Sequence, residues 1–343
     1  WVLPPDWAYD AHGKADHVVS QRGCYLDDFV FDPAGLSLTS ETLQGLDPLY
    51  KLALQAGRQA WLDGRHQQVD RSQVGVILAS IALPTDGSSA LTWNRYQDRL
   101  AGAVGASGQA TRRPAHSRNR QVTGLPAGIL ARALGLGGGT YTLDAACASS
   151  LYSIKLACDE LRSGRAQAML AGGVSRPDSL YTQMGFTALG ALSPSGRCSP
   201  FDASADGLVV GEGAGVLMLK RLSDAEAHGD RIYGLICGIG LSNDIGGSLL
   251  APDTEGQVRS MKAAYERAGW APNELQLIEC HGTGTPTGDR IEVASLIELW
   301  KDQKFQPQQC AIGSVKSMIG HLLTGAGAAG MIKVLLGMQN EVL

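Results

Sequence analysis

A thiol, two imidazoles and an ammonium group stand in this sequence where each is placed to do chemistry. Cys147 closes the run Tyr141-Thr-Leu-Asp-Ala-Ala-Cys147 and leads into Ala-Ser-Ser-Leu-Tyr-Ser-Ile-Lys-Leu-Ala-Cys158. A thiol at a helix start meets unpaired backbone N–H groups and the positive end of the helix dipole, both of which favour the thiolate. Cys147 therefore reads as a nucleophile; a buried structural cysteine is the alternative reading of the same stretch. His281 stands in His281-Gly-Thr-Gly-Thr-Pro, and His321 ends Gly313-Ser-Val-Lys316-Ser-Met-Ile-Gly-His321. Taken singly, His281 has an explanation as a turn residue and His321 as a helix cap. Lys316, five residues before His321, adds a positive charge to the same stretch.

These side chains share a plan of positioning elements. Thr140 to Leu143 has the β-branched and aromatic character of a strand, and Leu151, Ile154, Leu156, Ala157 and Leu161 recur at helical spacing. The chain must turn sharply at Ala145 to Ala148, with Cys147 at the turn. The plan returns at Ala311 to Leu336, as strand, turn with Lys316 and His321, then a helix of small apolar residues; Leu275 to Glu279 is a strand running into His281. Three reactive side chains at equivalent strand ends converge, and ligands bind at that edge of a sheet. Two such Ala/Gly helices packed at the centre imply an α/β/α/β/α sandwich of two similar halves, 1–229 with Cys147 and 230–343 with His281 and His321.

Around them the spacing predicts a helix over Leu49 to Leu62 and another over Leu125 to Leu134. Buried strands are expected at Val74 to Ala79, Ala168 to Val174 and Val216 to Leu219, and a long strand over Ile232 to Leu241. Helices follow at Thr254 to Gly269 and Arg290 to Trp300, and Ser40 is read as a helix cap. Residues 84–120 read as a polar surface excursion. Gly211-Glu-Gly-Ala-Gly precedes a strand and is no phosphate loop; Gly325-Ala-Gly-Ala-Ala-Gly330 lies inside a helix, where close packing explains it better than a dinucleotide.

Composition narrows the function class. A net charge of -4 offers no field for nucleic acid, and the short basic cluster Arg112, Arg113, Arg118 and Arg120 reads as a solvated loop. The 7 cysteines are scattered without a CxxC pair, so neither a disulfide framework nor a zinc site is indicated, which fits a reducing cytoplasm. No apolar run is long enough to predict membrane insertion.

Asp144-Ala-Ala-Cys147-Ala-Ser-Ser, His281-Gly-Thr-Gly-Thr-Pro and Gly313-Ser-Val-Lys316-Ser-Met-Ile-Gly-His321 resemble the three active-site motifs of β-ketoacyl synthases, the condensing enzymes of fatty acid and polyketide synthesis. Ser193-Pro-Ser-Gly-Arg-Cys-Ser-Pro-Phe-Asp202 and Ala205-Asp-Gly-Leu-Val-Val-Gly-Glu-Gly are similar to that family too, and Leu241-Ser-Asn-Asp-Ile-Gly and Gly320-His-Leu-Leu-Thr-Gly look closest to polyketide-like synthases, including those making polyunsaturated fatty acids. The resemblance implies the thiolase-like five-layer fold, here with both ends incomplete. The family has a strand ahead of Trp1 and a Gly-Phe-Gly-Gly-Thr-Asn loop beyond Leu343, which puts activity of this piece alone in question. It implies decarboxylating condensation between an acyl-Cys147 intermediate and a malonyl-type extender on acyl carrier protein. His281 and His321 would serve as neutral donors to the enolate, Lys316 would set the local field with Glu292 or Asp289 in support, and Thr283 and Thr285 would touch the pantetheine arm. No metal or bound cofactor is implied, substrates arriving on phosphopantetheine, and a homodimer within a multidomain synthase is expected. The alternatives are a chain-length-factor-like partner subunit, whose type lacks the nucleophile, and a Cys-His acyl hydrolase, which needs one base with an orienting partner.

Overall fold

The computed structural model describes residues 8–12, 16–104, 115–122, 124–246, 251–304 and 306–342. Trp1, Arg112 and Arg113 lie outside the described residues. In chain order the elements are α1 (Ser40–Leu43), α2 (Pro48–Asp63), β1 (Val74–Ser80), α3 (Asp86–Val104), α4 (Pro126–Leu134), β2 (Thr140–Leu143), α5 (Ser149–Arg162) and β3 (Ala168–Ser175). They continue with α6 (Ser179–Ala188), β4 (Gly213–Lys220), α7 (Leu222–His228), α8 (Thr254–Ala268), β5 (Leu277–Glu279), α9 (Pro286–Trp300), β6 (Ala311–Gly313), α10 (Lys316–Ile319) and α11 (Ala326–Asn340).

β1 pairs in parallel with β2 and β3, and β4 adds antiparallel to β3, so the first sheet runs β2-β1-β3-β4. Every residue of β1 and β3 is buried, as continuous apolar runs require when both faces are covered. Alternate side chains go to opposite faces: Val76, Leu78 and Leu170 meet α2 and α4, while Ile77, Met169 and Ala171 meet Ile154, Ala157 and Leu161 of α5. α11 lies beside α5 on that second face and also reaches β5, which pairs in parallel with β6. α8 and α9 pack on each other and supply the helical layer of the C-terminal region.

The small residues of α11 explain how the central helices meet. A Cβ on Gly327 would stand 2.6 Å from Leu151 Cγ, and the Ala328 N–H donates to Ser150 Oγ at 3.0 Å. Gly325 to Gly330 thus serves helix contact, as expected.

Four sequence expectations are corrected. Residues 232–241 form no strand, because among the described residues no strand pairs with them. They run against α8 instead, where a Cβ on Gly240 would fall 1.7 Å from Ser260 O and one on Gly238 2.2 Å from Ala264 O. The supposed excursion at 84–120 contains the 19-residue α3, whose Trp93, Tyr96 and Leu100 stay exposed and so left no inward stripe to read. Thr39, not Ser40, caps α1, its side chain accepting from the Thr42 N–H. α9 begins at Pro286, where a fixed φ and a missing N–H suit the first helical turn.

Candidate active site

β2 ends at Leu143, and the next residues are held in a turn by side chains that sit beside Cys147. Asp144 accepts the Ala146 N–H at 2.9 Å on one oxygen and the Ala82 N–H at 2.8 Å on the other. Ser149 Oγ accepts from the Ala145 N–H at 2.7 Å and donates to Ala146 O at 2.5 Å. Ala146 is driven to φ +51°, a left-handed conformation that L-residues avoid at a cost of about 1–2 kcal/mol. That kink turns the chain from strand to helix within a few residues and leaves Cys147 half-buried ahead of α5.

His281 follows the end of β5 and is fixed through its backbone. Glu292 accepts the His281 N–H at 2.6 Å and the Gly282 N–H at 2.7 Å, one carboxylate oxygen to each. On the other side of the same residue, Lys316 Nζ donates to His281 O at 2.6 Å and Ser314 Oγ donates to it at 3.2 Å. The carboxylate and ammonium therefore hold the residue between them and leave its ring free. Asp289, one turn before Glu292 on α9, accepts the Phe201 N–H at 2.8 Å and the Gly284 N–H at 3.2 Å. It thereby ties the Ser193 to Asp202 loop onto the His281-Gly-Thr-Gly-Thr turn. Thr283 and Thr285 lie on that turn with their hydroxyls 2.8 Å apart.

His321 is 1% exposed and is held between backbone groups. Its N–H donates to Val209 O at 2.7 Å and its carbonyl accepts the Gly211 N–H at 3.0 Å. The Leu323 N–H donates to His321 Nδ1 at 2.9 Å, so Nδ1 carries no proton and the neutral ring presents Nε2–H as a donor. Leu323 itself sits at φ +45°, which lets its N–H turn back to the ring.

The three side chains meet. One ligand-type atom from each of Cys147, His281 and His321 lies within 4.8 Å of the others, and the two rings stand edge to face with centroids 5.4 Å apart. Burial, with Lys316 as a second cause, lowers His281 to about 4, even though one side of it faces solvent. Burial, then the neighbouring His281 and Lys316, hold His321 well below its ordinary value. Both rings are neutral near pH 7. Lys316 is lowered by burial, against the raising fields of Cys147 and Glu292.

Cys147 departs from the sequence expectation. Burial pushes its thiol up, although Lys316 and its own backbone N–H pull the other way. A helix start contributes about 0.3–1 kcal/mol, whereas taking a charge out of water costs several kcal/mol, so burial wins. Cys280 is pushed up to about 12 by burial with Glu292 adding to it, and Cys198 to about 11 by burial. A thiol held protonated in this way must give up its proton before it can act as a nucleophile.

The structure brings together the three side chains that the sequence singled out, Cys147, His281 and His321. Sequence reading missed the backbone donors: the Leu323 N–H leaves no mark in residue type, and only the Leu-Leu-Thr-Gly turn after His321 hints at it. A groove of about 1040 Å³ lined by Phe29, Leu52, Ile332 and Leu336 includes none of the three reactive residues. Among the described residues no helix is long and apolar enough to cross a membrane.

Residues 4–225 match the family described as Beta-ketoacyl synthase, N-terminal domain, and residues 233–343 match Beta-ketoacyl synthase, C-terminal domain. The chain is 36% identical over 333 residues to a mycocerosic acid synthase-like polyketide synthase of Mycolicibacterium smegmatis, covering 96% of this chain and 15% of that protein. It is 32% identical over 342 residues to a polyunsaturated fatty acid synthase of a Thraustochytrium species, again covering 96% of the chain and 16% of the relative. The chain therefore spans only a small part of the curated relatives it matches. Among solved structures, a PfaC keto synthase-chain length factor superposes with a TM-score of 0.88 at 40% identity, over 95% of this chain and 36% of that one. The ketosynthase from module 6 of the bacillaene synthase of Bacillus subtilis gives 0.81 at 33% identity, over 100% of this chain and 56% of that one. The neighbours share the thiolase-like fold.

Proposed function

The chain belongs to the β-ketoacyl synthase family, and from that premise we propose that it forms a carbon–carbon bond between an acyl group held on Cys147 and a malonyl-type extender. The observation that carries this reading is the meeting of one thiol with two neutral imidazoles, one of which has its donor set by the Leu323 N–H. Cys147 attacks an acyl thioester on the phosphopantetheine arm of an acyl carrier protein; its proton leaves with the departing thiol. The extender then enters, its carboxylate leaves as CO2, and the electron pair passes into a thioester enolate. His321 Nε2–H and His281 donate to the enolate oxygen as its charge develops. The enolate carbon attacks the acyl carbonyl, the tetrahedral oxyanion collapses, and Cys147 is released as the β-ketoacyl product forms. Lys316 and Glu292 act through His281, which they hold; Thr283 and Thr285 are the proposed contacts for the pantetheine arm. The N-terminal part, 1–229, brings the nucleophile and the C-terminal part, 230–343, brings the enolate donors.

Hydrolysis with His321 as the base is disfavoured by the same bond. His321 Nδ1 takes a backbone N–H, not a carboxylate, so its outward nitrogen is a donor and has no lone pair with which to act as a base. Incubation with an acyl thioester followed by peptide mass mapping tests the reading: the acyl mass is expected on Cys147 and persists until an extender is supplied.

The proposed assembly is a homodimer inside a larger synthase. β2 is an edge strand of the first sheet, and Tyr141 on it is 40% exposed. An uncovered edge of this kind pairs readily with its own copy across a two-fold axis. Analytical ultracentrifugation at micromolar concentration is expected to show a dimer burying more than about 2,000 Å², and Tyr141→Lys to dissociate it. A stable, active monomer would refute the assembly. Leu143 is a poor second site for a charge, because it packs inward against the Ile77 and Ile154 cluster.

A further inference from the structure

We infer that Glu279 and Lys333 are positioning residues that set the separation of the two catalytic imidazoles. Glu279 is the last residue of β5, two before His281. One of its carboxylate oxygens accepts the Val315 N–H at 2.5 Å, immediately before Lys316; the other accepts Lys333 Nζ at 2.8 Å. Lys333 lies on α11, the helix that follows His321. A single carboxylate therefore joins the strand that carries His281, the turn that carries Lys316 and the helix that carries the His321 loop. The site is built to receive it: Gly330 of α11 faces Glu279, and a Cβ there would stand 3.0 Å from Glu279 Cγ. The Glu279 side chain is only 12% exposed and Lys333 is 30% exposed, so the pair is shielded more than a surface ion pair.

The consequence is geometric. His321 is fixed to the N-terminal part by Val209 and Gly211, and the loop after it by Thr324 Oγ1, which donates to Val174 O at 2.8 Å. His281 follows β5, which pairs with β6, so the two imidazoles are held by different elements that must be kept in register. The Glu279–Lys333 pair spans that division at α11. Enolate stabilisation needs both donors aimed at one oxygen and is sensitive to such a shift, whereas acyl transfer to Cys147 uses the β2–α5 turn and is not.

This inference rests on the condensing role proposed above, and its test separates the two. Malonyl-thioester decarboxylation and acyl loading of Cys147 are measured in parallel on the full-length protein, with thermal unfolding recorded for each variant. Glu279→Gln keeps an acceptor for Val315 and removes the ion pair; Lys333→Met keeps the stem and removes the charge. Each is expected to lower decarboxylation about tenfold while loading stays within about twofold, and the double variant to be no worse than the poorer single one. Lys333→Arg restores most of the loss. Equal loss of loading and decarboxylation, or additive loss in the double variant, would overturn the positioning role. Absence of decarboxylation in the unaltered protein would instead remove the functional reading, and the clamp with it. Should Glu279→Gln not fold, Lys333→Met reads the same split from the more exposed partner.

Discussion

Replacing Cys147 with alanine is expected to abolish acyl transfer, by at least about a thousandfold, in a protein that remains folded. The thiol is the single nucleophile at the cluster of imidazoles, and the other described cysteines lie outside it. Cys280 and Cys198 are held as thiols by burial at about 12 and about 11, so neither is placed to substitute. The change removes one sulfur from a half-buried position, and the turn around it is held by Asp144 and Ser149, which are untouched. Its unfolding midpoint should fall only slightly. Radiolabelled acyl thioester and gel counting check the loss; labelling of another cysteine with turnover intact would show that the nucleophile has been misplaced.

Alanine at His281 or His321 is expected to do the reverse. Decarboxylation of the malonyl thioester should drop by about a hundred- to a thousandfold for each ring, the usual cost of one oxyanion donor, while Cys147 still accepts acyl groups. His321→Ala also strands the Leu323 N–H in a buried site, at about 1–3 kcal/mol, so His321→Asn is the cleaner companion. The pH profile discriminates further. Because burial holds His281 to about 4 and His321 well below 6.5, both rings stay neutral as pH falls, and no acid limb should be seen near the ordinary histidine value. The stability sign follows from the same depression. The unfolded chain takes protons near 6.5 while the folded rings do not, so stability is full above that pH and declines as pH falls toward 4. A decarboxylation limb centred near 6.5, or loss of acyl loading with decarboxylation intact, would contradict the donor roles.

The reactive residues were legible because the turns that expose them leave residue-level marks. Gly282 follows His281 and Gly320 precedes His321, a strand of β-branched and aromatic residues runs into Cys147, and Asp289 and Glu292 fall on adjacent turns of one helix. Less legible were features set by what lies around a segment. Residues 232–241 have strand composition, yet pairing depends on a neighbour that composition does not reveal. α3 carries its aromatic residues outward, so periodicity had no inward face to report. The Cys147 thiol was expected to be lowered by the helix start, but burial depends on the whole fold and overrides a local dipole. The backbone N–H of Leu323 and the clamp on Glu279 were invisible for the same reason: any residue supplies an N–H, and a carboxylate two residues before a histidine gains meaning only when α11 arrives beside it.

The most direct measurement is a single-turnover chase. Protein acylated on Cys147 is isolated, mixed with a malonyl thioester on acyl carrier protein, and followed by intact-mass spectrometry together with released CO2. Loss of the acyl mass, CO2 release and appearance of the β-ketoacyl thioester in equal amounts is the predicted result. Release of the acyl group as free acid, without CO2 or a lengthened product, would contradict the account.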